Sequence, residues 1–177
     1  MPAKVYNNVE GHRLLDKIGD VSRVCEDVTQ MTLPTLTHPT TSLENVAGMA
    51  MDVDMPNITH LEKAEFSIAH NNGINCQFLA TPGKHFIEAR VARQVYNTTK
   101  GVIEYESVKA FITCVHKETS KGNIETGNPY GSTEKYSVLA YEEVVNGETT
   151  VKVDAVAGIL EFNGTDYYGD NIETLLS

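Results

Sequence analysis

The chain has 177 residues, of which 41% are hydrophobic, and it contains no tryptophan. This length is enough for one domain with a buried core, so we expect a single domain over residues 1–177. The net charge is −10, from 14 Lys and Arg against 24 Asp and Glu. Because affinity for phosphate comes mainly from basic side chains, this charge argues against a sequence-specific DNA-binding protein.

No apolar run approaches the roughly 18 residues that a membrane helix needs, and residues 1–10 lack the pattern of a signal peptide. We therefore expect no membrane association and a protein that stays in the cytoplasm of the cell that makes it. Cys25, Cys76 and Cys114 are an odd number and are widely spaced. In a reducing compartment they are predicted to be free thiols that are buried as small apolar side chains.

The first third of the chain has mainly β character. Leu14 and Leu15 fit a helical face or a short strand equally well, and a strand is predicted over 21–36, where Pro34 favours an edge or a bend. Residues 38–56 are the least regular segment. Within it Met49, Met51, Val53 and Met55 alternate with smaller or acidic residues. This pattern fits either a core-filling face or an intermolecular contact.

Clean alternation predicts a strand over 64–70, and the spacing of Ile74, Phe78 and Leu79 after Asn72 predicts one short helix over 72–80. Long strands are predicted over 85–96 and 102–118, followed by a polar loop over 119–133. Asn-Gly at 146–147 tolerates positive φ and predicts a long antiparallel hairpin between 135–145 and 149–162. The tail 169–177 is predicted to form a helical turn. The chain is therefore predicted to be mainly β.

No motif typical of a catalytic or metal site is present. The six histidines show no HxH or HExxH spacing, so a zinc site would need residues that are far apart in sequence. Asp52 and Asp54 share a strand face, but the other ligands of a calcium loop are missing. Acidic neighbours such as Glu104 and Glu106 are more often solvent-facing charges than an acid/base pair. The sequence thus predicts neither an enzyme nor a cofactor.

The order of segments resembles that of a known family. Met-Thr-Leu-Pro-Thr-Leu-Thr at 31–37 precedes a polar loop and Gly48-Met49, followed by an Asp-containing strand at 51–55. This is similar to the major tail tube protein of contractile-tailed bacteriophages. The later strands, the short helix and the Asn-Gly turns follow in the order of that family over nearly the whole chain. The sequence departs from the family pattern at 122–133 and after Asp166, which concerns peripheral contacts.

The resemblance implies an antiparallel β-sandwich or barrel with one short flanking α-helix and a long protruding loop. It implies a structural protein that self-assembles into stacked hexameric rings, the inner tube of a contractile tail. The implied partners are other copies of the chain, the tail sheath protein, the baseplate and tail terminator proteins, and DNA that passes without tight binding. The implied location is the virion, after assembly in the host cytoplasm. The tube of a phage-tail-like bacteriocin is the alternative.

The resemblance also assigns two groups of residues. In the family the loop corresponding to 38–56 reaches a neighbouring ring, so inter-ring contacts are expected at Ser42, Leu43, Met49 and Met51. An acidic tube wall would repel DNA phosphates within the screening length of about 8 Å. The lumen candidates are the polar-parity residues Glu65, Glu88, Glu104 and Glu106. The excess of basic residues over 84–121 has another interpretation, which is salt bridges between subunits through Arg90, Arg93 and Lys109.

Two other classes of protein stay open on the sequence alone. A β-sandwich binding module would typically present exposed aromatic side chains in a groove, and the absence of tryptophan argues against it. A small cytoplasmic enzyme would need converging histidines or carboxylates, which the spacing does not indicate.

Overall fold

A computed structural model of the chain describes residues 4–18, 21–44, 47–48, 50–72 and 74–169. These residues form β-strands and one 3-10 helix, and their strand pairs are antiparallel. The mainly β prediction is confirmed. In chain order the strands are β1 Lys4–Ile18, β2 Val21–Cys25, β3 Val28–Thr32, β4 Thr40–Leu43, β5 Val53–Pro56, β6 Glu65–His70, β7 Lys84–Asn97, β8 Val102–Ser120, β9 Ser132–Val145, β10 Glu148–Asp154, β11 Ile159–Phe162 and β12 Thr165–Asp166.

Most strands belong to one sheet that curls on itself. Its central order is β2-β1-β7-β8-β9-β6-β3, and β9 also pairs with β10, which continues to β11 and β12. β2 and β3 stand at opposite ends of the central order, yet only Glu26 and Asp27 separate them in the chain. The ring of His12 on β1 also lies 3.0 Å from the carbonyl oxygen of Val28 on β3. The two ends of the sheet therefore meet, and the sheet encloses a barrel-like interior.

The core lies on the inner face of this curled sheet. β7 and β8 pair over their full lengths without a register shift, so alternate residues such as Ile87, Ala89, Ala110 and Ile112 point inward together. The 3-10 helix, Ile74–Ala80, contributes two further buried side chains. The core cluster consists of Leu14, Cys25, Phe66, Ile68, Cys76, Leu79, Ile87, Ala89, Ala110, Ile112, Cys114, Tyr136 and Tyr141.

Several sequence predictions match elements of the structure. The strands predicted over 64–70, 85–96 and 102–118 correspond to β6, β7 and β8. The ambiguity at Leu14 and Leu15 is resolved, because both lie in β1. Asn146 and Gly147 have φ of 51° and 92° and connect β9 to β10, which confirms the hairpin turn. The predicted helical turn in the tail falls almost entirely outside the described residues.

The α-helix predicted over 72–80 is wrong in type, since a 3-10 helix occupies this place. Cys76 has φ −120° and ψ 18°, which are not helical values, and they put a kink inside the segment. The side chains of Cys76 and Leu79 are both buried, so this segment is packed into the barrel end and does not flank it as a regular helix. Tertiary packing here overrides the helical spacing of the sequence.

The strand predicted over 149–162 is two strands, β10 and β11, which pair with each other. The carboxylate of Asp154 accepts hydrogen bonds of 2.9 Å from the backbone N–H groups of Val156 and Ala157. Gly158 completes the turn with a φ of 66°. An Asp side chain that satisfies two backbone donors favours a turn over a continued strand. The sequence analysis overlooked this turn.

A β-hairpin occupies most of the segment 38–56, where a long loop was predicted. β4 and β5 pair from Thr40 opposite Pro56 to Leu43 opposite Val53 and form a separate two-stranded sheet. The prediction of strand periodicity over 51–55 is therefore confirmed in part, while the prediction of a long irregular loop is not. Among the described residues, no helix is long and apolar enough to span a membrane.

The prediction of three free thiols is wrong. Cys25 at the end of β2 and Cys76 in the 3-10 helix form a disulfide, with Cα atoms 5.5 Å apart and a separation of 51 positions in sequence. Cys114 is a free, buried thiol. Spacing in sequence could not reveal this pair, because the curling of the sheet brings β2 to the end of β6 and to the helix that follows it.

We expect one reactive thiol when the purified chain is denatured without reductant and titrated with a thiol reagent, because only Cys114 is unbridged. Three thiols should be counted after reduction. The Cys114→Ala variant is the control and should give none before reduction and two after it. Three thiols in the unreduced wild-type chain would contradict the disulfide.

Candidate interaction surfaces

The hairpin of β4 and β5, residues 40–56, is the most isolated part of the described structure. The two strands pair only with each other among the described strands, so the outer edge of each is unpaired. Unpaired strand edges carry backbone donors and acceptors that can extend a sheet into a neighbouring chain. We call residues 40–56 the arm.

Hydrogen bonds between the two chain segments that lead into and out of the arm fix its base. The ring Nδ1 of His38 lies 3.0 Å from the carbonyl oxygen of Asn57 and 2.9 Å from that of His60. Backbone hydrogen bonds join Asn57 to Pro39 and Glu62 to Thr37, each of 2.8 Å. These contacts fix the two chain segments that connect the arm to the barrel. The arm is therefore presented from a defined base.

The side chains of the arm are largely exposed. Met51 is 71% exposed and Met55 is 52% exposed, so neither fills the core of its own subunit. Of the expected inter-ring residues, Ser42 is exposed and Leu43 is half-buried, while Met49 lies outside the described residues. The core alternative for this methionine face is thereby excluded for Met51 and Met55, and the intermolecular alternative stays a prediction.

A second exposed apolar surface lies on the outer face of the sheet. Val5, Tyr96 and Ile103 stand side by side on β1, β7 and β8, because Val5 pairs with Tyr96 and Tyr96 pairs with Ile103. Tyr105 is the next residue along the same face of β8 and is 69% exposed. We call these four residues the apolar row. Three adjacent strands thus present a continuous apolar strip to solvent.

The sequence analysis missed the apolar row, although a signal was present. Residues at even positions from Val108 to Cys114 of β8 are apolar and buried. Ile103 and Tyr105 are apolar at odd positions of the same strand. A strand that is apolar on both faces is typically buried on both, so its outer face is expected to contact another part of the protein or another chain.

Glu88 and Glu106, two of the lumen candidates, are buried within the subunit. Glu88 accepts a 2.5 Å hydrogen bond from Arg90, and its other oxygen lies 2.5 Å from Nζ of Lys17. Burial opposes the ionisation of Glu88, but its contacts with Arg90 and Lys17 together lower its pKa. The two carboxylates were expected to face solvent, and the structure contradicts this.

Glu106 is held in a similar way by two basic residues. Its carboxylate accepts a 2.7 Å hydrogen bond from Lys4 and a 3.0 Å hydrogen bond from Arg93. The hydrogen bond from Lys4, supported by that from Arg93, outweighs burial and lowers the pKa of Glu106. Arg90 and Arg93 therefore have partners in their own chain, whereas Lys109 is exposed. The expected salt bridges between subunits are not needed to explain the two arginines.

Glu65 and Glu104 lie closer to solvent but are also paired. Glu65 accepts a hydrogen bond from Lys117, which lowers the pKa of Glu65. Glu104 accepts a 2.9 Å hydrogen bond from Lys100, and this contact lowers the pKa of Glu104. All four lumen candidates thus carry a negative charge that a basic side chain of the same subunit offsets.

Polar groups also occur in the interior near the 3-10 helix. His85 lies 3.1 Å from the buried carboxylate of Asp16 and 2.8 Å from the carbonyl oxygen of Thr81. The hydrogen bond to Asp16 raises the pKa of His85 despite burial. His116 contacts Glu134 at 3.0 Å, and the ring of Tyr136 packs edge-on against both histidines. His85 and His116 each contact a carboxylate and the ring of Tyr136. These contacts explain their presence in the interior by a structural role.

A comparison with protein families identifies the class of protein. The sequence profile described as phage tail tube protein FII matches residues 18–172, which is most of the chain. The chain belongs to the phage tail tube family. No curated protein matches the sequence.

Membership of the tail tube family fits the surfaces described above. The family consists of structural proteins of the virion tail that assemble with copies of themselves into a tube. The arm and the apolar row are surfaces that such a protein can use for self-assembly, since both expose large apolar side chains.

We predict that Glu106→Gln lowers the free energy of unfolding of the dilute subunit by on the order of 1–3 kcal/mol at pH 7, because it removes charged hydrogen bonds from a buried carboxylate. The pKa of Glu106 is lowered in the folded state, so its contribution is complete above the unfolded value of about 4.5 and is lost as pH falls through the folded value. Urea denaturation at several pH values measures both effects.

The matched control is Glu65→Gln, which alters an exposed ion pair and should have a smaller effect. Equal losses of stability for the two variants, or a difference from wild type that persists at low pH, would contradict the structural role of Glu106.

Proposed function

We propose that the protein forms the inner tube of a contractile phage tail, built from stacked hexameric rings inside the sheath. Its membership of the tail tube family is the observation that carries this proposal. The resemblance noted in the sequence supports the contractile type, the hexameric ring and the sheath, baseplate and terminator proteins as partners. Assembly in the host cytoplasm is part of the same proposal.

The arm is proposed to contact the next ring of the stack. It has a base that is fixed to the barrel, and it exposes the side chains of Met51 and Met55 and two strand edges. Burial of a methionine side chain contributes roughly 1.5–3 kcal/mol when it is complete. Met51 and Met55 are each more than half exposed in the subunit, and a ring would repeat them six times. Ser42, Leu43, Met49 and Met51 remain the residues assigned to this contact.

The apolar row is proposed to lie between subunits of one ring. It lies on three paired strands, so its backbone is held before assembly and loses little conformational entropy when covered. Tyrosine and isoleucine also supply a large contact area for few side chains. The arm and the apolar row would then serve different steps, stacking of rings and closure of each ring.

We predict that Met51→Lys/Met55→Lys leaves rings that do not stack, because the variant puts charge on the arm and leaves the barrel unchanged. Ile103→Lys/Tyr105→Lys should instead give monomers, because it puts charge in the apolar row. Negative-stain electron microscopy and sedimentation velocity on concentrated protein distinguish tubes, rings and monomers, with wild-type protein expected to form tubes.

The control is Ile124→Lys, a highly exposed apolar residue in the polar loop between β8 and β9, which should still give tubes. Tubes of normal length from the arm variant would refute the inter-ring assignment. Wild-type protein that stays monomeric at every concentration would count against the proposed function as a whole.

The lumen is proposed to be lined by carboxylates so that DNA passes without binding. Glu65 and Glu104 are the residues to test first, because their side chains are less buried than those of Glu88 and Glu106. Each is paired with a lysine, so the wall would be polar and close to neutral at these points. Such a wall neither attracts phosphate strongly nor offers an apolar patch, which suits a conduit.

We predict that Glu65→Lys/Glu104→Lys tubes assemble but slow the delivery of DNA by particles reconstituted with them, because excess lysine attracts phosphate. Glu125→Lys, in the exposed loop between β8 and β9, changes one carboxylate to the same cation and should not slow delivery. The measurement is the rate of DNA release at several salt concentrations, and the defect should shrink as salt rises. Unchanged delivery from assembled double-variant tubes would remove these residues from the lumen assignment.

A further inference from the structure

Cys25, His70 and Cys76 form a compact buried cluster where β2, β6 and the 3-10 helix meet. Their side-chain ligand atoms all lie within 4.8 Å of one another. Nδ1 of His70 is 3.7 Å from Sγ of Cys25, and all three residues are at least nine-tenths buried. The sequence analysis judged that a zinc site would need ligands from distant parts of the chain. Two thiol-bearing residues and one imidazole are brought together here in that way.

One distance in this cluster has the size found between the ligands of a tetrahedral metal site. Zinc binds thiolate at about 2.3 Å and imidazole at about 2.0–2.1 Å, so neighbouring ligand atoms in a tetrahedron stand about 3.6–3.8 Å apart. The observed 3.7 Å between Cys25 and His70 is of this size. The Cα separation of 5.5 Å between the cysteines leaves their side chains within reach of one ion when the sulfurs are not bonded to each other.

One ring nitrogen of His70 faces Cys25, and the other has no partner in the described part of the chain. Nε2 of the same ring is buried and has no hydrogen-bond partner among the described residues. A buried polar atom without a partner is costly, and His85 and His116 show no such defect. The tail tube function described above makes no use of this orphaned group.

A route to the cluster exists. His70 and Cys76 line a cavity of about 540 Å³ together with Glu134 and Lys121. A cavity of this volume is large enough for an ion and for water molecules. The carboxylate of Glu134 is engaged by His116 and Thr119, so we assign no metal contact to it.

We propose that the reduced chain binds one thiophilic divalent cation through Sγ of Cys25, Sγ of Cys76 and Nδ1 of His70. Zn²⁺ is the first candidate for this cation. The disulfide and the metal complex are then alternative states of the same two sulfurs. A thiol or phosphine reductant supplies the two electrons that break the S–S bond, and two protons from water complete the thiols. Metal binding displaces these two protons to the buffer and leaves two thiolates on the ion.

The experiment uses the full chain, reduced with a phosphine, freed of metal and kept without oxygen. Co²⁺ is the probe, because tetrahedral cobalt with thiolate ligands gives a charge-transfer band in the near ultraviolet and intense ligand-field bands in the visible. We expect both at one Co²⁺ per chain, with displacement by Zn²⁺ and no bands from the oxidised chain. Absence of the bands in reduced protein that circular dichroism shows to be folded would overturn the proposal.

Variants test the ligand set. Cys25→Ser and Cys76→Ser should lose the charge-transfer band, and His70→Gln should weaken binding by roughly tenfold or more. Cys114→Ala is the matched control, since it removes a buried thiol outside the cluster, and it should bind like wild type. Equal binding by wild type and Cys25→Ser would overturn the assignment.

A measurement on the wild-type chain avoids any variant that fails to fold. Zn²⁺ should slow alkylation of Cys25 and Cys76 in the reduced chain, read peptide by peptide by mass spectrometry, and should raise the Tm of the reduced chain but not of the oxidised chain. Equal alkylation rates with and without Zn²⁺ would overturn the proposal. These readouts use the subunit alone, so failure to form tubes would not affect them.

Discussion

The ladder between β7 and β8 is the constraint on which the rest of the subunit depends. It joins Lys84–Asn97 to the facing strand in fourteen consecutive pairs without a register shift. Because side chains alternate along a strand, a slip of one residue would send the whole core to the outside. β1 pairs with one side of this ladder and β9 with the other, so both take their inward and outward faces from it. The curl that brings β2 to β3 then closes the interior.

The side chains on the inner face of the β7–β8 ladder differ in polarity along its length. Its middle is aliphatic, with Ile87 and Ile112 as opposite partners. Towards one end Arg93 faces Glu106, and towards the other His85 faces Cys114. Buried ionic groups contribute little net stability compared with apolar packing, but leaving one unpaired is costly. The pairs therefore tie the register of the strands to charge complementarity as well as to apolar contact, since a shifted register would separate Glu106 from Arg93.

The sequence predicted the elements whose pattern is local. The strands over 64–70, 85–96 and 102–118 follow from period-two alternation, and the turn at Asn146 follows from the positive φ that Asn and Gly tolerate. The missed features depend on contacts between distant residues. The cross-link of Cys25 to Cys76 requires the sheet to curl, and the kink at Cys76 inside the 3-10 helix arises where that residue is packed into the barrel end. Neither has a signal at short range in the sequence.

The candidate surfaces were predicted less well than the fold, because they too depend on contacts between residues that are distant in sequence. Alternation identifies a polar face, but it does not show which basic residue will meet a carboxylate across a strand pair or from another strand. Glu88 and Glu106 therefore read as exposed charges in the sequence and are buried ion pairs in the structure. The strand periodicity over 51–55 matches β5 in part, and the intermolecular contact expected of this segment stays a prediction.

The core and the two exposed surfaces, the arm and the apolar row, are separate parts of this chain. The core cluster lies on the inner face of the sheet, whereas the apolar row lies on the outer face and the arm lies outside the sheet. A charge placed on either exposed surface removes no core contact, so the subunit can fold before it finds a neighbour. The ion pairs at Glu65 and Glu104 offset acidic groups within each subunit, which reduces the repulsion between copies of a chain with net charge −10. The offset charges stay polar and hydrated, so an acidic chain of this family can approach its own copies with less repulsion.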